Sequence, residues 1–293
     1  MQRVTLAGGI PEALRGSIVA LGNFDGFHLG HQAVVRRAID RAFHERRPAV
    51  VATFDPHPVI FFKPDVPPFR LTTLDQRQAL FDHAGADAML VFEFGAALAS
   101  MDAEAFVAEV LVDQIGAAGV ITGDDFSFGK GRTGDPALLR ALGERHGLAA
   151  EAVPQVLLEG QRISSGRIRE ALVGGDTGTA THMLSRDFAI EGVAQRGDAR
   201  GRQLGFPTAN VTLDDGTEHP GVANLGVRPT FQPPQELLEA YLFGFEGDLY
   251  GRRIEAALHA YIREERKFGD LDGLVAQMRE DEAAARRLLL ISD

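Results

Sequence analysis

Apolar runs of strand length alternate with helical periodicities along the first part of the chain. SIVALGNF (17–24), AVVATF (49–54), AMLVFEF (88–94) and GVITG (119–123) are compact apolar runs, and AAEAVP (149–154) is a weaker fifth. Between them, 31–47, 72–85, 102–116 and 135–146 read as helices. In the first of these, HQAVVRRAIDRAFHERR, the residues Val35, Ile39, Ala42 and Phe43 are expected on one apolar face. Strand and helix in strict alternation predict a parallel sheet covered by helices. In such sheets ligands bind beyond the carboxyl ends of the strands. Three turns occupy such ends: GNFDGFHLGH (22–31), TFDPHP (53–58) and GDDFSFG (123–129).

The pattern changes near residue 185. FAIEGVAQ, GVANLGV, LEAYLFGF and RIEAALHAYI are short strand-like runs punctuated by Gly and Pro. A final helix, DLDGLVAQMREDEAAARRLL, presents Leu271, Leu274, Val275 and Met278 at helical spacing. These features predict a small β-barrel with a covering helix. Residues 171–186 read as a link, so the expected domains are 1–185 and 186–293.

Composition narrows the choices. The chain has 293 residues, 45% hydrophobic and 24% charged, ordinary values for a globular protein. It has no cysteine, which excludes disulfides, thiolate catalysis and Cys-based zinc sites. No run approaches the length of a membrane span, and MQRVTLAGGIPEALRG lacks the apolar core of a signal peptide. A cytoplasmic location is therefore expected, with no membrane partner. The net charge of −11 argues against a broad nucleic-acid surface, so local basic clusters must carry any phosphate binding.

Four stretches hold candidate chemistry. His28 and His31 stand where a strand hands over to a helix. A metal role for them lacks a third ligand at suitable spacing. Free N–H groups at a helix start, backed by glycines that let backbone approach closely, suit a phosphate, and imidazoles there can stabilise charge developing at an α-phosphorus. RISSGRIRE (162–170) adds Ser164 as a natural N-cap, Ser165, and the fixed charges of Arg167 and Arg169. The plain alternative is a capped surface helix with solvated arginines. RGDARGRQLGFPTAN (196–210) offers Gly197, Gly201 and Gly205 for a loop over polyphosphate, with Arg200 and Arg202 nearby. Thr208 and Asn210 alternate with Ala209, so both face one side of a strand and could hold Mg²⁺ and phosphate; the alternative is a hairpin with turn glycines. Glu239 lies in an apolar strand, as a general base for a hydroxyl or as an exposed strand face. GKGRTG (129–134) formally matches G-x-G-x-x-G, but it follows a loop rather than running from strand to helix, and a flap or flavin-contact loop fits it better.

Taken in order, GNFDGFHLGH, TFDPHP, LTT (71–73), GDDFSFGKGRTGD, ISSGRIREAL, GRQLGFPTAN, GVANLGVRPTF, DLYG and IREERKF resemble the prokaryotic bifunctional riboflavin kinase/FAD synthetases over nearly the whole chain. The resemblance implies a Rossmann-like α/β nucleotidyltransferase domain followed by a small β-barrel riboflavin kinase domain with a C-terminal helix. It implies adenylylation of FMN to FAD in the first domain and phosphorylation of riboflavin to FMN in the second, with ATP as co-substrate, Mg²⁺ as cofactor and the flavins as substrates and products. On this basis His28, His31 and Arg167 act in adenylyl transfer, with Gly22, Asn23, Phe24, Ser164, Ser165 and Arg169 around ATP. Asp55, His57, Asp125, Phe126 and Phe128 line the flavin pocket. In the kinase, the 197–205 glycines and arginines with Pro207 hold ATP, Thr208 and Asn210 bind metal, Glu239 is the base, and Arg279 closes over flavin.

Three departures accompany the resemblance. Gly166 stands where the family usually has threonine, and Gly244 where it has aspartate. Between PTAN and GVAN only VTLDDGTEHP intervenes, where a further strand with a Gly-Val-Tyr element is expected. Two other readings follow: adenylyl transfer alone beside an impaired kinase domain, and a flavin-binding regulator without turnover. A transient homo-oligomer is compatible with these features.

Overall fold

The computed structural model describes residues 1–66, 70–195, 207–228, 235–263 and 270–290. Two compact units divide between Ser165 and Gly166.

The first unit contains six strands in one sheet, β1 (Gln2–Thr5), β2 (Ile18–Leu21), β3 (Ala49–Asp55), β4 (Ala88–Glu93), β5 (Gly119–Gly123) and β6 (Ala149–Val153). Their order is β1-β4-β3-β2-β5-β6 and every pairing is parallel. The chain leaves β2 toward β3 and β4, then returns to the other side of β2 for β5. The topological switch point thus lies between β2 and β5, where open α/β sheets bind ligands. Successive residues serve opposite faces. Val19, Leu21, Val50 and Leu90 join one core, and Ile18, Ala20, Val51 and Met89 the other. Burial on both faces explains why these strands read as unbroken apolar runs.

The helices of this unit are α1 (Leu29–Glu45), α2 (Pro58–Phe62), α3 (Leu74–Ala84), α4 (Ala96–Ser100), α5 (Ala103–Ala105), continued by a π-helical stretch (Phe106–Gln114), and α6 (Pro136–His146). The four expected helices are present. In α1, Val34, Val35, Ala38 and Ala42 form the buried stripe, while Phe43 is 81% exposed, against expectation. Phe43 lies eight positions beyond Val35, which at 100° per residue carries it about 80° off that stripe. A hairpin of β7 (Leu157–Leu158) and β8 (Gln161–Arg162) turns through Glu159 and Gly160, both at positive φ, as a two-residue turn of the hairpin type requires.

Helix α7 (Ser165–Val173) leads into the second unit. Residues 171–186, expected as a link, hold the end of α7 and all of α8 (Thr177–Leu184). Ala180, Met183 and Leu184 are buried, and α8 packs on β9 and β13. The second sheet comprises β9 (Phe188–Val193), β10 (Pro207–Leu213), β11 (Glu218–Arg228), β12 (Gln235–Leu242) and β13 (Arg253–Tyr261). It is antiparallel, in the order β12-β11-β10-β13-β9, and curls into a half-barrel.

The stretch expected to lack a strand is a tight hairpin from β10 to β11. The Leu213 N–H donates to Thr217 O at 2.9 Å, and Gly216 takes φ 82°. The Thr217 hydroxyl and N–H, together with Arg252, hold the Asp215 carboxyl down to about 2.

Helix α9 (Leu271–Leu288) packs through Ala285 on Val222 and Phe243. Its buried stripe is not the expected apolar one. Val275 and Met278 are exposed, and Gln277, Asp281 and Ala285 are buried, one helical repeat apart. Arg263 donates to both Asp281 oxygens at 2.7–3.2 Å, and the Gln277 amide joins them at 2.9 Å. This ion-pair network is buried on a face of α9 other than the one that carries Val275 and Met278.

Candidate active sites

The turn from β2 into α1 is built on strain and anchored by aromatic rings. Phe24 and Phe27 both take positive φ (49° and 43°), uncommon for bulky residues. Their rings are 2% and 4% exposed and meet Phe81 edge-on at 5.8 and 5.1 Å. Aromatic burial holds the backbone where propensity would not. The strand ends at Leu21 rather than running on to Phe24 because the backbone turns there, with the Gly22 N–H still donating to Ala52 O.

Asp25, 2% exposed, clamps a second segment to this turn. Its carboxylate accepts from the N–H groups of Leu71 and Thr72 at 2.9–3.2 Å and from the Thr72 hydroxyl at 3.3 Å. The Thr72 hydroxyl accepts from the Gly26 N–H at 3.0 Å. The Ser165 hydroxyl donates to Asp25 O at 2.8 Å, tying the start of α7 to the same turn. The LTT motif is therefore a strap, and Thr73 goes on to cap α3 in a capping box with Gln76.

His28 is the N-cap of α1. Its Nδ1 accepts from the His31 N–H at 3.3 Å, which leaves Nε2 to carry the proton in the neutral ring. The two imidazoles stack, centroids 3.6 Å apart and planes 16° from parallel. His31 also meets the Phe24 ring edge-on at 5.3 Å, and its Nδ1 is buried without a partner. Burial, then the neighbouring His28, Arg77 and Arg162, push its pKa well below the ordinary value, so the ring is neutral. Imidazoles at a helix N-terminus are suited to donate to an anion. Asn23 lies in the same turn, with its Oδ1 buried and unpartnered.

The other expected residues of this unit fall on nearby loops. Asp55 ends β3 and pairs with Arg70 at 3.1 Å, and His57 caps α2 by accepting from the Val59 N–H at 3.2 Å. Asp125 forms an ion pair with Arg162 of β8. Phe126 and Phe128 stack at 5.8 Å, with Phe128 7% exposed against Phe106. GKGRTG is a turn closed by the Phe128–Gly134 bridge, not a strand-to-helix junction. Ser164 directly precedes α7. Arg167 and Arg169 belong to the second unit; they are half-buried on α7, two positions apart, so they leave the helix in different directions. Arg77 and Asp25 were not singled out by the sequence. Both lie in or beside short motifs, but a buried arginine on a helix gives no periodic signal.

In the second unit, register brings two candidates to one face. Asn210 pairs with Pro220, and Glu239 with Asn224, four residues further along β11. Position 208 pairs with Val222, between the two. Both Asn210 and Glu239 are half-buried, while the opposite face carries the buried Ala209, Val211 and Ala223. Helix α9 packs on the same face as Glu239 through Val222 and Phe243, and its Arg279 is exposed. Gly244 follows the end of β12 and takes φ 63°, a conformation that suits glycine where the resemblance expected aspartate. Gly197, Arg200, Gly201, Arg202 and Gly205 lie outside the described residues, as do the side chains of Pro207 and Thr208.

Comparison with known proteins gives a consistent result for the whole chain. A family model for FAD synthetase matches residues 10–167, and one for riboflavin kinase matches 184–289. A bifunctional riboflavin kinase/FMN adenylyltransferase of Pseudomonas fluorescens is 40% identical over 291 residues, covering 94% of this chain and 93% of the relative. The protein of that name in Escherichia coli K12 is 36% identical over 288 residues, covering 92% of each. A crystal structure titled as a macrolide-efflux protein of Streptococcus pneumoniae superposes with a TM-score of 0.85 at 25% identity, covering 98% of this chain and 99% of that one. Among the described residues of this chain, no helix is long and apolar enough to cross a membrane.

Proposed function

The chain belongs to the bifunctional riboflavin kinase/FMN adenylyltransferase family, and on that footing we infer that it makes FMN from riboflavin and FAD from FMN, consuming ATP in each step. An adenylyltransferase with an impaired kinase domain is not favoured. The riboflavin kinase model spans 184–289, and the short segment after Asn210 closes a hairpin within a five-stranded sheet. We assign adenylyl transfer to 1–185 and the kinase to 186–293, in keeping with family matches that end at 167 and begin at 184, and we place the enzyme in the cytoplasm with small molecules as its partners.

The observation that carries the adenylyl-transfer reading is the stacked His28–His31 pair, with His31 neutral, at the N-terminus of α1, beside the switch point of the sheet. In this reading a phosphate oxygen of FMN attacks the α-phosphorus of ATP and pyrophosphate leaves. His28 and His31 donate hydrogen bonds to the phosphoryl oxygens as charge builds there. Gly22, Asn23 and Phe24 shape the nucleotide side of the turn, Asn23 with a buried acceptor that awaits a donor. Phe24 does so from the core, by fixing the backbone. Ser164, Ser165, Arg167 and Arg169 hold the polyphosphate, the two arginines reaching different parts of it. Asp55, His57, Asp125, Phe126 and Phe128 form the flavin side.

In the kinase reading the riboflavin hydroxyl attacks the γ-phosphorus, Glu239 accepts its proton, and ADP leaves. The 197–205 loop with Pro207 holds the ATP, and Arg279 of α9 covers the flavin. Asn210 and position 208 supply neutral oxygen donors, and the described residues contain no cluster of three or more His, Cys, Asp or Glu able to hold a metal ion. Such sparse oxygen donors fit Mg²⁺, which takes few protein ligands and keeps water and phosphate oxygens. When bound, the ion neutralises phosphate charge.

Incubating the purified chain with ATP and Mg²⁺, once with riboflavin and once with FMN, and separating the flavins tests this reading. The expected products are FMN and FAD from riboflavin, and FAD from FMN. No FAD from FMN would refute the first assignment, and no FMN from riboflavin the second.

A further inference from the structure

Arg77 is the largest fully buried side chain among the described residues, 2% exposed within the first unit. It projects from α3, where burial opposes its charge and the Asp25 and Asp55 carboxylates attract it without forming an ion pair. A charge in that setting is costly, and an apolar side chain of similar volume would fill the space without desolvation. What the guanidinium gains is contact with backbone at two strand ends. Its Nη1 donates to Asn23 O at 3.2 Å, to the Thr53 hydroxyl at 2.8 Å and to Phe54 O at 3.5 Å. The Thr53 hydroxyl in turn donates to Asn23 O at 2.8 Å. Asn23 opens the histidine turn after β2, and Phe54 precedes Asp55 and His57 at the end of β3. One nitrogen therefore ties together the two loops assigned above to nucleotide and to flavin. The Nε of Arg77 is buried without a partner, so the side chain is not placed merely to satisfy its own donors.

We propose that Arg77 is a positioning residue for adenylyl transfer, holding the 22–31 turn and the 53–57 loop in register so that ATP and FMN meet, and setting a fixed positive charge behind the phosphate-binding face. The proposal rests on the adenylyl-transfer reading. The charged and titratable groups facing His31 are His28, Arg77 and Arg162, and the positive charge of Arg77 helps keep that ring neutral.

The test uses full-length Arg77→Met and Arg77→Lys, each assayed for both reactions. In Arg77→Met, kcat for FAD formation falls about 10²-fold, as for a misplacement of roughly an ångström. The KM values for ATP and FMN both rise, and the acid limb of the FAD-forming pH profile moves upward. Riboflavin phosphorylation is unchanged. Arg77→Lys keeps the charge and so keeps the acid limb low, with partial recovery of kcat. Wild-type rates of FAD formation in Arg77→Met overturn the proposal. So does a loss of kcat with both KM values and the acid limb unmoved, which marks a purely structural role. Should Arg77→Met also lose riboflavin phosphorylation, Arg77→Lys decides: a low acid limb with raised KM values upholds the proposal, and wild-type KM values overturn it. A wild-type protein that makes no FAD refutes the underlying reading instead, so the two failures are distinguishable.

Discussion

The two units place their candidate phosphate-binding groups in different ways. The first places its candidate groups on loops at the carboxyl ends of parallel strands. There the backbone is bent into positive φ at Phe24 and Phe27, and buried side chains such as Asp25 and Arg77 fix it. The second places Asn210 and Glu239 on the strands themselves, positioned by β-register. A loop-built site depends on its anchors. A register-built site depends on the ladder and on the turns that set it. Damage near each site should therefore differ in kind as well as in which reaction it affects.

The largest expected effects remove the groups that act on the reacting atoms. Glu239→Gln should lower riboflavin phosphorylation about 10²–10⁴-fold, the usual span for a lost general base. FAD formation from supplied FMN should continue at the wild-type rate, and steady-state assays of each reaction check both. His28→Ala should do the reverse, costing about 10²–10³-fold in FAD formation and leaving FMN formation intact. A variant that lost both activities equally would erase the contrast between the units.

Anchoring comes next. Asp25→Asn replaces a buried carboxylate that accepts from two backbone N–H groups and a hydroxyl. About 2 kcal/mol of stability should be lost, measured by urea unfolding, and FAD formation should fall with it.

How much of this was legible in the sequence differs between the units for the same physical reasons. The strands β2 to β5 and their helices read clearly because burial on both faces makes their runs continuous. β1 did not, because QRVT is a four-residue edge strand with mostly exposed side chains and no apolar run. The histidine turn was visible as a motif, yet its anchors were not, since Arg77 and Asp25 look like surface residues until the fold buries them. In α9 periodicity misled: Val275 and Met278 are exposed while Gln277 and Asp281 are buried, paired with Arg263. The absence of a further strand after Asn210 was legible from length alone, since the four residues between β10 and β11 suffice only for a tight turn.

pH sharpens the contrast further. His31 has a lowered pKa in the folded protein, chiefly through burial. Below about pH 6.5 the unfolded chain takes up a proton at this residue that the folded state refuses. Stability should therefore be full above that pH and decline as pH falls through the interval down to the folded value. In His31→Gln this part of the decline should vanish, as urea midpoints at about pH 7.5 and pH 5.5 would show. The smallest effect belongs to the register-built site. Gly216→Ala forces a side chain into φ 82° at the β10–β11 turn and should cost about 1 kcal/mol. A thermal melt followed together with kinase activity would detect it.

Isotope transfer tests most directly the central claim that one chain runs two chemically distinct phosphate transfers at two separate sites. Riboflavin is supplied with ATP labelled at either the α- or the γ-phosphate, using wild type and His28→Ala. In wild type, γ-label should enter both FMN and FAD, and α-label FAD alone. In His28→Ala, γ-label should still enter FMN while α-label stays out of flavin. Entry of α-label into flavin at the wild-type rate in His28→Ala would contradict the account.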